Sequence, residues 1–366
     1  MDIDMVALHT QVLTWVFVLA LLLGAISQKT HFCTMGALSD WFNMSDFGRM
    51  RQWLAALLSA ILLTQIMWAH QHIHVEASFY LTPKLTWLSH LVGGILFGFG
   101  MVLASGCGSR ALIRLGSGSL KALVVVIVMG LAAYITMRGL LAIPRVSLVE
   151  TQVIELGVAQ DLPRLIFGSK AGPWERVLIA CGVCGLLIGL ITFLARPSDQ
   201  SKSQLLSGLL IGAMIAAMWF VSASLGYIDE DPNTLREGFA ATNSRGPESF
   251  SFVAPIAYTI DYLILFSDKS KTLTLGIVSV FGMVLGAFLD SIFSGRFRLE
   301  GFAGLEDTRM HLIGATLMGV GGVTAFGCTV GQGLSAASLL AVGAAISLPA
   351  IALGAWLAMK WQISRI

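Results

Sequence analysis

Apolar stretches of about 20 residues recur roughly nine times along this chain, which is the length that crosses the hydrocarbon core of a bilayer. They fall near 6–27, 52–70, 86–105, 119–142, 176–195, 205–227, 273–294, 311–327 and 338–359. Of the 366 residues 56% are hydrophobic and 12% charged, about half the charged share of a soluble domain. The expected fold class is therefore an all-α polytopic membrane protein. Four further apolar stretches, 31–43, 108–117, 250–266 and 331–337, are too short or broken to span. They read as re-entrant or half helices, which survive at membrane depth only where protein or a watery cavity surrounds them. A net charge of +2 argues against a nucleic-acid partner. The first ten residues hold Asp2 and Asp4 but no Lys or Arg, so the first apolar run reads as a retained span, not a cleaved signal. Basic residues flank the odd-to-even connections and the C-terminal end, among them Lys29, Arg49, Arg110, Arg114, Arg196, Arg296 and Lys360. That bias predicts an outside N-terminus and a cytoplasmic C-terminus.

Two of the runs repeat. HLVGGILFGFGMVLASGC (90–107) aligns without gaps on HLIGATLMGVGGVTAFGC (311–328), with ten of 18 positions identical. His90, Gly93, Gly98, Gly100, Gly106 and Cys107 match His311, Gly314, Gly319, Gly321, Gly327 and Cys328. An offset of five spans is odd, so the halves are expected to be inverted. The expected units are 1–142, a connector 143–200 containing the fifth span, and 201–366. Inverted repeats with broken helices place a site near the midplane between the halves.

Each repeat ends in a cysteine crowded by glycine. Gly106 and Gly108 flank Cys107; Gly327 and Gly331 bracket Cys328. Dense glycine permits a sharp turn and frees backbone amides, which can line an anion site. Cys33 has a similar setting, at the end of a span and before a short apolar segment. Cys107, Cys328 and Cys33 are therefore the candidate path-lining residues, and Gly106, Gly108, Gly327 and Gly331 the residues that shape the turns. Cys181 and Cys184, inside the fifth span, read as packing residues. A soft, polarizable thiol suits a large diffuse sulfur or selenium anion and avoids the deep well of a Lys or Arg, as conduction requires. A soft-metal permease is an alternative, given 15 Met and 7 His with three His in AHQHIH, although no resident metal site is legible. So is a membrane enzyme that carries a persulfide. No nucleophile–base arrangement and no nucleotide-binding loop can be read, so neither an enzyme nor a cofactor is the expectation.

The segments FCTMGALSDWF, ASGCGSRALIRLGSGSLKAL, SFSFVAPI and AFGCTVGQGLSA resemble the motifs of the YeeE/YedE sulfur-transport proteins, over roughly residues 10–360. This resemblance implies a bacterial inner-membrane permease of a family some of whose members take up thiosulfate, the favoured substrate here, and an hourglass of two inverted halves. It also implies an anion handed along three cysteines, here Cys33, Cys107 and Cys328, through S–H···S contacts, and a small cytoplasmic sulfurtransferase-like partner. The long segment 143–175 and the 228–248 loop depart from a minimal carrier and leave other sulfur or selenium species open.

Overall fold

The structure is a computed structural model that describes residues 2–168, 171–194, 201–230, 235, 237–268 and 270–365. Arg196, part of the charge pattern above, lies outside the described residues.

Fourteen helices follow one another: α1 (Asp2–Thr30), α2 (Thr34–Ser39), α3 (Gly48–Ala69), α4 (Trp87–Leu103), α5 (Gly108–Gly116), α6 (Leu120–Arg138), α7 (Ala142–Pro144), α8 (Leu162–Phe167), α9 (Pro173–Phe193), α10 (Ser201–Phe220), α11 (Val253–Ile264), α12 (Leu275–Phe293), α13 (Leu305–Thr324) and α14 (Val342–Ile363). Wider π-type turns extend or replace helix at Asp40–Met44, Arg145–Val149, Val221–Leu225 and Gly331–Ala336. Among the described residues, sheet is confined to two short antiparallel pairs, β1 (Lys84–Leu85) with β2 (Ile154–Glu155) and β3 (Tyr227–Ile228) with β4 (Gly238–Phe239).

Among the described residues, nine helices have 17 or more residues, one for each expected span. Eight spans are long and apolar enough to cross a membrane. The ninth helix, α13, opens with Glu306, Asp307 and Arg309 and is rich in glycine, so it is held by its neighbours more than by lipid. The four broken segments appear as α2 with its π turn, α5, α11 and the turn Gly331–Ala336. The pattern is inside out. Trp15, Leu62, Ile127, Leu186, Phe281 and Leu353 face outward, whereas Gln52, Gln65, Ser89, Ser222, Ser335 and Ser347 are buried. This is an all-α polytopic membrane protein: the apolar surface meets lipid, and the polar groups meet each other.

Helix pairings come in matched sets. α1 packs on α12 and α10 on α3; α4 packs on α14 and α13 on α6. Exchanging one half for the other turns each pair into its mate. The crossing at the centre, α4 on α13, is its own mate, and it rests on backbone contact. A Cβ built on Gly93 would sit 2.8 Å from the Gly321 carbonyl, and one on Gly321 2.7 Å from the Gly93 carbonyl. Gly100 and Gly314 repeat this, each 2.6 Å from the other's carbonyl. Only glycine permits so close an approach, and close backbone approach is what binds helices where lipid removes the hydrophobic incentive.

The long segment 143–175 is tied down on one face. Its Leu162 N–H donates to the Leu340 carbonyl, and the Val342 N–H donates to the Gln160 carbonyl, just before α14. Asp161 is wholly buried and accepts from Arg176 at 3.1 Å; the Arg176 guanidinium lies 3.6 Å over the Trp68 ring. Burying one of these charges alone would be costly, so the pair locks this loop to α3 and α9.

Gly321→Val puts branched carbon into the Gly93 carbonyl and the Phe97 amide. It is expected to destabilise the fold by about 1–3 kcal/mol or more, read as a fall in the detergent-solubilised melting temperature and in yield.

Candidate functional site

The two repeat cysteines end up in turns of the same shape. Ser105 and Phe326, matched in the repeat, have φ of 56° and 57°; Gly106 and Gly327 follow at 156° and 158°. A bulky residue at positive φ is unusual, and the pairing with a glycine after it is what lets the chain reverse. Each turn is closed the same way, with Gly106 N–H donating to the Met101 carbonyl and Gly327 N–H to the Gly322 carbonyl. The turn ends the long helix and delivers the cysteine to the start of a short one. Cys107 caps α5, with Sγ 3.2 Å from the Ser109 hydroxyl. Cys328 opens the turn that leads into Gly331–Ala336, and its Sγ accepts the Gly331 N–H at 3.4 Å. The Phe252 and Val330 amides also turn toward that sulfur.

Cys33 is built alike. It caps α2 in extended conformation and its Sγ accepts the Gly36 N–H at 3.3 Å. Cys107 is the electrostatic neighbour of both Cys33 and Cys328. Cys107 is thus near each of the other two thiols, with Cys107 and Cys328 buried and Cys33 half-buried. All three carry free thiols. The remaining two lie elsewhere: Cys181 is exposed on α9, and Cys184 packs against Leu58 of α3 with its Sγ 4.0 Å from that carbonyl.

Two sides of this group differ in chemistry. Beyond Cys33 stand Arg49, Arg110 and Arg296. Arg49 pairs with Asp40 at 2.6 Å and Arg296 approaches His31 at 3.5 Å. Arg110 has a buried Nη1 without a hydrogen-bond partner among the described residues. On the Cys328 side the surroundings are hydroxyls, aromatic rings and amides. The Ser251 hydroxyl lies 4.0 Å from the Cys328 sulfur. A cavity of about 210 Å³ opens there, lined by Phe79, Tyr80, Ser251, Pro255, Phe326 and Gly327 among others. Glu248, in the loop ahead of α11, also lines it and accepts the Asn243 and Ser244 N–H groups. Burial pushes the Glu248 carboxyl above its usual range. A second cavity, about 330 Å³, shares Phe79, Tyr80 and Phe326 and reaches His90, Gln160 and Gln332.

The four candidate glycines fall into two groups. Gly106 and Gly327 make the turns. Gly108 begins α5 beneath the Met129 thioether, 3.2 Å from where its Cβ would be, a packing position. Gly331 is the closest to chemistry: its Cβ would lie 2.7 Å from the Ser251 hydroxyl and 3.2 Å from the Tyr80 hydroxyl. Ser251 was quoted within a motif but carried no expectation as a site residue. It reaches Cys328 from just before α11, whereas Cys33 comes from just before α2, so a hydroxyl stands in the second half where a thiol stands in the first. That correspondence has little sequence signal, because only the short helices that follow are alike.

No group of three or more His, Cys, Asp or Glu side chains that could hold a metal exists among the described residues. In the AHQHIH segment, His70 and His72 lie 6.1 Å apart by ring centroid, and His74 stacks on Tyr227.

The fold and its cysteine-bearing helix breaks define a polytopic helical membrane protein whose candidate site is lined by thiols, hydroxyls and amides. The chain belongs to the sulphur transport family, whose pattern matches residues 29–357. It is similar to the thiosulfate transporter TsuA of Escherichia coli, 23% identical over 356 residues that cover 93% of this chain and 92% of that one. It is equally similar to the thiosulfate transporter TsuA of Spirochaeta thermophila, 23% identical over 360 residues, 94% of this chain and 97% of that one.

Gly331→Ala would push a methyl between the Ser251 and Tyr80 oxygens beside Cys328. It is expected to cut uptake of labelled substrate at least tenfold in whole cells while membrane abundance on immunoblots stays the same.

Proposed function

We propose that this chain is a permease for thiosulfate in the bacterial inner membrane, with the anion passed along Cys328, Cys107 and Cys33 in turn. The observation that carries the reading is the proximity of Cys107 to both other thiols. Its two neighbours come from different halves, and each of their sulfurs accepts a backbone N–H at the start of a short helix or turn. Family membership and the names of the two relatives support the substrate class. A thiol is a weak donor with a polarizable sulfur, so each site holds the anion loosely enough to release it to the next. Ser109 and Ser251 add stronger donors beside Cys107 and Cys328.

The two halves, 1–142 and 201–366, are inverted repeats joined by 143–200. The matched helix pairs and the twin turns support that division. The N-terminus is outside and the C-terminus cytoplasmic, by the basic residues of the short connections. In this orientation Cys328 meets the anion first, and Arg49, Arg110 and Arg296 stand at the exit, where positive charge draws the anion inward. The cytoplasmic mouth is where a small sulfurtransferase-like partner would receive the anion. The chain acts as a carrier and makes no covalent bond to its cargo.

In a strain lacking its own sulfate and thiosulfate uptake, wild type should restore growth on thiosulfate as sole sulfur source. Cys107→Ala should abolish it with normal membrane insertion, and Cys181→Ala should leave it intact. Normal growth with Cys107→Ala would sink the thiol relay. Absence of rescue by wild type, with the protein in the membrane, would sink thiosulfate as the substrate. Intact mass spectrometry after substrate exposure should find no added sulfur.

A further inference from the structure

Tyr80 lies in the turn Phe79–Leu81 between α3 and α4 and is 5% exposed. Its ring is fixed by Phe79, with centroids 4.0 Å apart, and by the edge of Trp219 at 6.4 Å. Its hydroxyl has no hydrogen-bond partner among the described residues. A buried hydroxyl left unpaired is costly, and natural proteins keep such groups where a ligand completes them. This hydroxyl is aimed at the site. It lies 3.2 Å from the position a Gly331 Cβ would take, as the Ser251 hydroxyl lies 2.7 Å from the same point. Gly331 in turn gives its N–H to Cys328. Cys328 acts on Tyr80 electrostatically, and the ring borders both cavities on this side.

Resting on the permease reading above, we propose that Tyr80 is a substrate-binding residue: its O–H, with the Ser251 O–H, hydrogen-bonds the oxyanion end of the cargo as the other end reaches the Cys328 thiol. The division follows from the chemistry of the wall. Two hydroxyls, of Tyr80 and Ser251, gather on one side of Cys328 and suit sulfonate-type oxygens. Phe79 and Phe326, which border the same cavity, suit a soft terminal sulfur. The site therefore selects an anion with both a hard oxygen face and a soft sulfur end, and gives a fully oxygenated anion less to hold.

Tyr80→Phe deletes the hydroxyl and keeps the ring on Phe79 and Trp219. The test is uptake of radiolabelled thiosulfate into proteoliposomes by wild type and Tyr80→Phe, with melting temperatures of both. The expected result is a KM for thiosulfate raised about tenfold, the loss of one hydrogen bond to a charged group. The maximal rate should be little changed and the melting temperature the same or higher, because an unpaired hydroxyl has been removed. Three results overturn the proposal. An unchanged KM leaves the permease reading standing and removes Tyr80 from the site. A lowered melting temperature assigns the hydroxyl a structural bond. No uptake by the wild type fails the permease reading itself, and the proposal with it.

Discussion

Everything at the centre depends on two helices touching through their backbones. At the α4–α13 crossing backbone meets backbone: Gly93 meets Gly321 and Gly100 meets Gly314 at carbonyl contact. Lipid tails compete with any apolar side chain, so a membrane protein gains little by packing leucine on leucine. It gains by bringing polarised backbone and small residues into dense contact. Because the same helices end in the cysteine turns, the crossing also sets how far apart Cys107 and Cys328 can lie. The spacing of the soft sites is inherited from the spacing of glycines.

Around that centre the chain repeats one solution. Gly98 of α4 abuts α14 at the Ile351 carbonyl, and Gly319 of α13 abuts α6 at the Met129 carbonyl. The short helices then fill the remaining gap with their amide ends inward. Around the three candidate cysteines the nearest polar groups are thiols, hydroxyls and N–H groups. Among the full charges, Arg49 is paired with Asp40 and Arg176 with Asp161, while Glu248 lines the cavity beside Cys328 and Arg110 stands near Cys33. A site made this way attracts a dehydrated anion without trapping it.

The spans and the breaks were legible because apolar length and glycine density leave strong marks. The nine long helices match the nine apolar runs, and all four broken segments are short helices or turns. The 90–107 and 311–328 repeat was legible for the same reason, since glycine and cysteine at fixed spacing survive when other positions drift. Legibility stopped at contacts between distant segments. Tyr80 sits in a loop whose sequence, SFYLTPK, has no periodicity, and only the fold carries it to Gly331. Ser251 is one serine among several in GPESFSF. Segment 143–175 looked like an elaboration; its buried Asp161 takes meaning only once Arg176 and Trp68 are placed around it. The apolar character of α13 was overstated, because charged first turns and glycine make it a helix for protein contact.

The twin turns share a backbone and differ in what they carry. At one, Ser105 occupies the left-handed position; at the other, Phe326 does. Around Phe326 and His90 there is a chamber of about 330 Å³, and around their counterparts Ser105 and His311 a crevice of about 10 Å³. A twofold scaffold has no front or back of its own. Whatever distinguishes the two faces of this crossing therefore rests in a handful of side chains at otherwise equivalent places.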